Sequence, residues 1–199
     1  VAAVVVALAG VALASPCLAQ LTPRVQAARD AFEAGDHDRA VNELTEAARS
    51  DNRREAASAV YFLAVIADED LDFQRALDGY RDFVARDPSS RFAARALARI
   101  DDLSSHAEGA FEPLRRLETV RKDPALANDP AAIAALERAS DRFPPGLVRA
   151  EARMLVGEAY LNRERLNRPR DAVRVFRALA MDSGAPRDTR SLAARRLIE

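Results

Sequence analysis

The amino-acid sequence predicts an all-α fold, an α-α superhelix built from antiparallel helix hairpins. The composition favours helix, because alanine and leucine dominate and only 7 of the 199 residues are glycine. Apolar residues recur at helical spacing, in blocks separated by Asp, Asn, Gly and Pro, and nowhere alternate with polar residues for long. Pairs of such blocks recur with a period of about 36 residues, which is typical of a solenoid.

The charge balance bears on the class of partner. Charged residues make up 31% of the chain and the formal net charge is -1, which gives no electrostatic reason to expect nucleic acid. Lys122 is the only lysine among the 30 basic residues, and we expect nearly all of the arginines to be solvated at the surface.

The first 19 residues are predicted to be a secretory signal peptide. No charge precedes Arg24, and the chain is apolar up to Ala14 apart from one glycine. This run is too short for a comfortable membrane span of about 20 residues, and small residues follow it. Cleavage after Ala14 or after Ala19 is plausible, and the second is preferred because it leaves a longer apolar region. The expected location is periplasmic or secreted. An initiator methionine and a basic leading segment are missing, so we expect this sequence to be trimmed. The alternative to a signal peptide is an uncleaved N-terminal membrane anchor.

Cys17 is the only cysteine, so an internal disulfide is impossible. A lipid on Cys17 would tether the protein to a membrane. Pro16 stands where bacterial lipoprotein signals usually carry a small residue, so a cysteine that is removed or inert is preferred.

Two helix pairs follow the signal peptide. Residues 25–32 predict a helix, residues 35–38 break it, and a second helix continues from Ala40, with Asp36 or Asp38 as its cap. Residues 60–67 predict the next helix, residues 68–72 the turn, and residues 76–84 the fourth helix. Pro88 ends this helix because proline disfavours helix in the residue before it.

The pattern returns twice further along the chain. An additional helix over residues 91–103 is expected to turn Phe92, Ala96, Leu97 and Ile100 inward. The third pair joins a first helix over residues 109–122, interrupted by Pro113, to a second helix that starts at Asp129-Pro130. The fourth pair covers residues 155–161 and 171–180. The predicted organisation is a helical repeat domain over residues 20–199, with repeats at about 21–54, 57–90, 109–146 and 150–186 and an extra helix at 91–105. A last helical pattern over residues 189–199 shows no capping signal, so we expect the native protein to continue.

Small and large residues alternate in these pairs in a way that resembles the tetratricopeptide repeat family, whose helix hairpins are about 34 residues long. Small side chains let the two helices of a hairpin approach closely, and larger ones fill the groove towards the next repeat. The residues that carry the resemblance are Ala28, Ala40, Leu44, Ala64, Ala76, Tyr80, Pro88, Ala132, Leu136, Pro144, Gly157, Ala172 and Phe176. The segment from Tyr80 onwards is similar to bacterial envelope repeat proteins such as the Tol–Pal coordinator and the lipoprotein of outer-membrane protein assembly. That resemblance implies a noncatalytic binding scaffold in the periplasm.

Residues for catalysis or cofactor binding are not evident. His37 falls in a repeat turn, where it is expected to serve packing, and His106 lies near a helix end. Neither is expected to bind a metal or act as a general base. The acidic groups at residues 68–72 and at Asp101-Asp102 lack the spacing of a calcium loop, and a Gly-rich phosphate loop is missing. We therefore predict neither an enzyme nor a metal or cofactor site.

The resemblance implies a concave binding face lined by the first helix of each pair. Transferring the family's groove positions to this sequence selects Arg29, Phe32, Tyr61, Arg95 and Arg99. In this hypothesis Tyr61 anchors a peptide and the arginines hold acidic groups. The alternative is that the arginines are ordinary surface residues and that Tyr61 packs inside its hairpin.

The function expected from the sequence is a periplasmic or secreted scaffold that mediates protein–protein interaction in a cell-envelope complex. One alternative is a regulatory or sorting module of a longer protein whose active domain lies beyond residue 199. The other is a structural array that assembles with itself.

Overall fold

The computed structural model describes residues 21–162 and 164–198, and in these residues every regular element is helical. The predicted signal peptide and Cys17 lie outside the described residues. The helices are α1 (Pro23–Glu33), α2 (His37–Ala47), α3 (Arg53–Glu69), α4 (Phe73–Arg86), α5 (Ala93–Ser105), α6 (Glu112–Lys122), α7 (Pro130–Ser140), α8 (Leu147–Leu161), α9 (Pro169–Ala180) and α10 (Arg187–Arg196). Short 3₁₀ turns at Glu108–Phe111 and Leu126–Asn128 flank α6. The predicted all-α superhelix is thus confirmed.

Local signals start most of the helices where the sequence indicates. Asp36, Asn52, Asp72 and Asp129 each accept a hydrogen bond from a backbone N–H in the first turn of the helix that follows. Such caps satisfy donors that the helix itself leaves unpaired. Proline opens α1, α6, α7 and α9, where its missing N–H costs nothing.

Each helix packs against the next one in the chain, from α1 to α5 and again from α6 to α10. Small side chains lie at the tight crossings. Ala28 and Ala40 are buried in the first hairpin, and Ala64 faces Gly79 in the second. In the fourth hairpin Gly157 faces Phe176. Ala76, Ala172, Leu44, Leu136, Tyr80 and Phe176 are all buried, while Pro88 and Pro144 are exposed beyond helix ends.

Buried residues of α3 to α5 share one core with the second series, whereas α1 and α2 pack a separate cluster against α3. After α5 the backbone makes a left-handed turn through Gly109, Ala110 and Phe111. This turn places the buried ring of Phe111 against Phe73 of α4, with ring centroids 6.0 Å apart. At the end of α5, His106 contacts Glu151 of α8. The extra helix therefore joins the series by side-chain contacts rather than by forming a hairpin of its own.

Four sequence expectations require correction. Pro113 lies in the first turn of α6, which begins at Glu112, so it starts the helix instead of interrupting it. Leu97 is 52% exposed, because the buried face of α5 runs through Ala93, Ala96 and Leu103. Ala132 is only half-buried, and its neighbour Ile133 occupies the core. Asp68 belongs to the last turn of α3 rather than to the following loop.

In the described part of the chain, none of the helices combines the length and hydropathy that a membrane crossing requires.

Candidate partner-binding surface

The first helices of the first two hairpins, α1 and α3, and the extra helix α5 form one side of the N-terminal half. The Thr22 hydroxyl, just before α1, donates to Glu55 of α3 at 2.9 Å. Tyr61 of α3 stacks on Phe92 at the start of α5. We call this side the first-helix face. It is the face on which the sequence placed Arg29, Phe32, Tyr61, Arg95 and Arg99.

Tyr61 lies inside the structure and is only 2% exposed. Its ring is nearly parallel to that of Phe92, with centroids 4.7 Å apart, and lies 5.0 Å from that of Phe83. Burial raises the pKa of Tyr61, and the nearby Arg95 opposes this shift. These contacts favour the alternative in which Tyr61 packs the hairpin, and they leave little of its ring for a partner.

Arg99 is already paired with carboxylates of the chain. Its Nη2 and Nε lie 2.7 Å from the two carboxylate oxygens of Asp68, and Asp102 on its own helix is a second ion-pair partner. The Tyr80 hydroxyl donates to Asp68 at 3.3 Å, and burial together with this carboxylate raises the pKa of Tyr80. The side chains of Asp68, Tyr80 and Arg99 thus connect α3, α4 and α5. Such a bidentate pair stabilises the helix arrangement and leaves Arg99 little charge for a ligand.

Arg29 and Phe32 are likewise engaged at the other edge of this face. Arg29 forms ion pairs within α1, with Asp30 at 3.3 Å and with Glu33 at 3.2 Å. Phe32 is half-buried and its ring lies 4.7 Å from the ring of His37 in the following turn. Of the five residues that the sequence selected, only Arg95 is exposed and lacks an ion-pair partner among the described residues.

At the start of α5, one turn before Arg95, the structure contains a polar cavity of about 310 Å³, which we call the basic pocket. Arg54, on the first turn of α3, and Arg91, just before α5, line it, and neither has an ion-pair partner among residues 21–162 and 164–198. Arg91 lies over the Phe92 ring, 4.7 Å from its centroid. The remaining lining residues are Leu21, Thr22, Asn52, Ser58, Asp87, Ser89, Ser90 and Phe92.

The chemistry of the basic pocket suits an anionic group. It has two arginines against the single carboxylate of Asp87, and Asp87 already accepts a hydrogen bond from the Ser89 hydroxyl at 3.1 Å. The positive N-terminal end of α3 lies at the same place, because Asn52 is its cap. Sequence reasoning missed Arg54 and Arg91. They lie outside the family's groove positions, and only the folded chain shows which arginines remain unpaired.

Elsewhere, buried or half-buried ionic groups connect helices. Glu137 of α7 accepts a hydrogen bond from the Tyr160 hydroxyl at 2.8 Å and pairs with Arg174, so that the pKa of Tyr160 rises to about 12 through burial and this bond. His106 contacts Glu151 at 3.1 Å, and the hydrogen bond to Glu151 raises the pKa of His106 to about 9. His106 is therefore a charged link between α5 and α8 at neutral pH.

Within the described ranges, no group of three or more His, Cys, Asp or Glu side chains is arranged to hold a metal ion.

Comparison with known protein families gives a match over residues 25–91 to the family described as Tetratricopeptide repeat. The match spans α1 to α4 and ends at Arg91 in the basic pocket. A comparison with curated proteins and one with solved structures found no match. Repeats of this family generally serve as protein-interaction modules. The first two hairpins of this chain are therefore similar to tetratricopeptide repeats, and the family match agrees with the all-α hairpin superhelix.

Proposed function

We propose that this protein is a noncatalytic scaffold of the periplasm or of the secreted fraction, which binds an acidic segment of a protein partner in a cell-envelope complex. The coarser part, a protein-interaction role, is what tetratricopeptide repeats suggest. The finer part adds the compartment and the chemistry of the partner. It rests on the uncharged apolar start of the sequence and on the basic pocket.

The observation that supports an acidic partner is a contrast in pairing. Arg29 and Arg99 on the first-helix face are neutralised by carboxylates of the chain. Arg54, Arg91 and Arg95 are exposed and have no such partner within the described residues. Two unpaired arginines in the wall of the cavity, and a third one turn further along α5, attract carboxylates. A guanidinium can bind a carboxylate through two parallel hydrogen bonds.

The shape of the surface favours a peptide over a small molecule. The cavity of about 310 Å³ is at the low end of ligand pockets, and its walls come from three separate segments near residues 21, 54 and 90. Arg95 extends the positive charge along α5 beyond the cavity. An extended segment with two or three Asp or Glu residues would contact both parts.

A photocrosslinking residue at Ser58, inside the pocket, tests the proposal in the native cell envelope. We expect a discrete adduct with one protein. The affinity of that protein for the purified chain should fall at least about tenfold in Arg91→Glu/Arg95→Glu and should weaken with added salt. The matched control is Arg187→Glu/Arg195→Glu on α10, where both arginines are exposed and unpaired among the described residues. Equal affinity of both double variants for the crosslinked protein would refute the role of the basic pocket.

The compartment has a separate test. A fusion of residues 1–35 to alkaline phosphatase, which is active only after export, should give activity in bacterial cells. Inserting two arginines into the run from Val1 to Ala14 should abolish it, since charge opposes membrane insertion. An inactive fusion that is stably expressed would contradict an exported protein.

A further inference from the structure

A groove runs between α6 and α7, and the residues that line it follow those of the basic pocket in the sequence. It consists of two adjoining cavities of about 450 Å³ and 280 Å³, which share Arg116, Ala135 and Ala139. The first cavity reaches Pro113 and Phe143, and the second reaches Val120 and Ala132 at the other end. The two helices run antiparallel, because the end of α6 and the start of α7 line the same cavity. We call this the α6–α7 groove.

The groove stays open because one large apolar side chain of each helix points into the core instead. Leu117 and Ile133 are 0% exposed and belong to the main core with α8. The side of α7 that faces the groove carries Ala132, Ala135 and Ala139, of which Ala135 is exposed. Short side chains on the floor would let another helix approach to within about 8–10 Å between axes.

The charges of the α6–α7 groove are arranged at one end. Arg138 and Arg142 line the cavity beside Phe143, are exposed, and have no ion-pair partner among the described residues. Arg116 is paired with Glu112, which also binds Arg115. One carboxylate thus compensates two arginines, and two further arginines are left over. The other end, around Val120 and Leu136, is apolar.

The corresponding groove between α3 and α4 has the opposite chemistry. Its charged lining is mainly acidic, with one exposed arginine, Arg75, against three aspartates that already have partners, Asp72, Asp78 and Asp82. Asp72 caps α4, Asp78 accepts from Gln74, and Asp82 pairs with Arg86. Carboxylates that already have partners do not attract a basic ligand. The uncompensated arginines at the α6–α7 groove, in contrast, attract an acidic ligand.

We propose that the α6–α7 groove is a second docking surface, which takes a short amphipathic helix of a partner protein with apolar residues at one end and Asp or Glu at the other. The floor from Pro113 to Val120 spans about 10 Å along α6, enough for about two turns of a bound helix. Its apolar side chains would lie on Ala132, Ala135 and Val120. Its carboxylates would meet Arg138 and Arg142. This surface is independent of the basic pocket.

Three fluorescent stapled helices of about 11 residues serve as probes on the full chain. The first carries two leucines on one face and a Glu pair at one end. The second replaces the Glu pair with Lys, and the third replaces the leucines with serine. Anisotropy should show binding of the first probe at micromolar concentration and binding at least about tenfold weaker for the other two.

Variants assign the binding to the groove. Arg138→Glu/Arg142→Glu should weaken binding of the Glu probe at least about tenfold, and Ala135→Gln should weaken it by filling the floor without adding charge. All three positions are exposed, so circular dichroism should show unchanged folding. Arg91→Glu/Arg95→Glu should leave the affinity unchanged. The proposal is overturned if the Glu probe fails to bind at about 100 μM, if the Lys probe binds equally well, or if the basic-pocket variant alone removes binding.

Discussion

Gly157 makes the packing of the fourth hairpin measurable. It lies in α8 and faces the ring of Phe176 in α9, where an added Cβ would come within 2.4 Å of Cε1 and 2.6 Å of Cζ. Ordinary carbon contacts are about 3.5–4.0 Å, so one of the two helices or the ring must move. The ring has no free space to enter, because Phe176 is only 1% exposed.

Two opposing terms set the effect of Gly157→Ala. Alanine is favoured over glycine inside a helix by about 1 kcal/mol. Overpacking a filled core costs about 1–3 kcal/mol, and the short distances to Phe176 place this site at the upper end. The net expectation is a loss of about 1–2 kcal/mol in the free energy of unfolding.

Urea unfolding followed by circular dichroism gives this value directly. Phe176→Leu removes Cε1 and Cζ, the two closest of the clashing atoms, so Gly157→Ala should destabilise less, or even stabilise, in the Phe176→Leu background. The coupling energy between the two sites should reach about 1–2 kcal/mol. A Gly157→Ala protein as stable as the parent, or strictly additive effects of the two changes, would refute the proposed close packing.

Three further predictions concern the ionic and aromatic contacts between helices. The pKa of His106 is raised to about 9 from 6.5, so its contribution to stability is present below pH 6.5 and is lost as the pH rises through 9. Between pH 7 and 9.5 the free energy of unfolding should fall by on the order of 2 kcal/mol, and His106→Gln should remove most of this slope. Asp68→Asn should lower the free energy of unfolding by about 2 kcal/mol, because it leaves a half-buried Arg99 without its bidentate partner. The control is Asp101→Asn at an exposed position, which should leave the denaturation midpoint unchanged. An equally unchanged midpoint in Asp68→Asn would speak against this role. Tyr61→Ala should lower the free energy of unfolding by about 3–5 kcal/mol, whereas Tyr61→Phe should lower it by less than about 1 kcal/mol and leave partner affinity unchanged. A selective loss of affinity in Tyr61→Phe would support the role of Tyr61 as a peptide anchor.

Helix positions could be predicted well because their signals are local. Asp36 and Asp129 cap helices through backbone N–H groups two or three residues away, and the apolar spacing of α2, α4 and α9 marks their buried faces. The local pattern gave a wrong prediction where two faces of one helix both carry apolar residues. Leu97 fits the apolar spacing of α5, yet packing places the adjacent Ala96 in the core.

The candidate binding surface could be predicted only in part. The sequence correctly located positively charged groups on the first helices, but it could not tell which of them would be neutralised. Arg95 and Arg99 lie four residues apart on the same helix, and only Arg99 reaches a carboxylate of α3. The signal that distinguishes them is a contact between residues 31 positions apart in the chain.

What the sequence by itself determined is the all-α hairpin architecture, because propensity, capping and apolar periodicity act over a few residues. What only the tertiary structure decided is which side chains remain for a partner. Tyr61 is buried, Arg99 is paired with Asp68, and the groove beside Arg138 is open because Leu117 and Ile133 point into the core. Exposure and charge compensation are properties of distant segments brought together, so they depend on the packing of the folded chain.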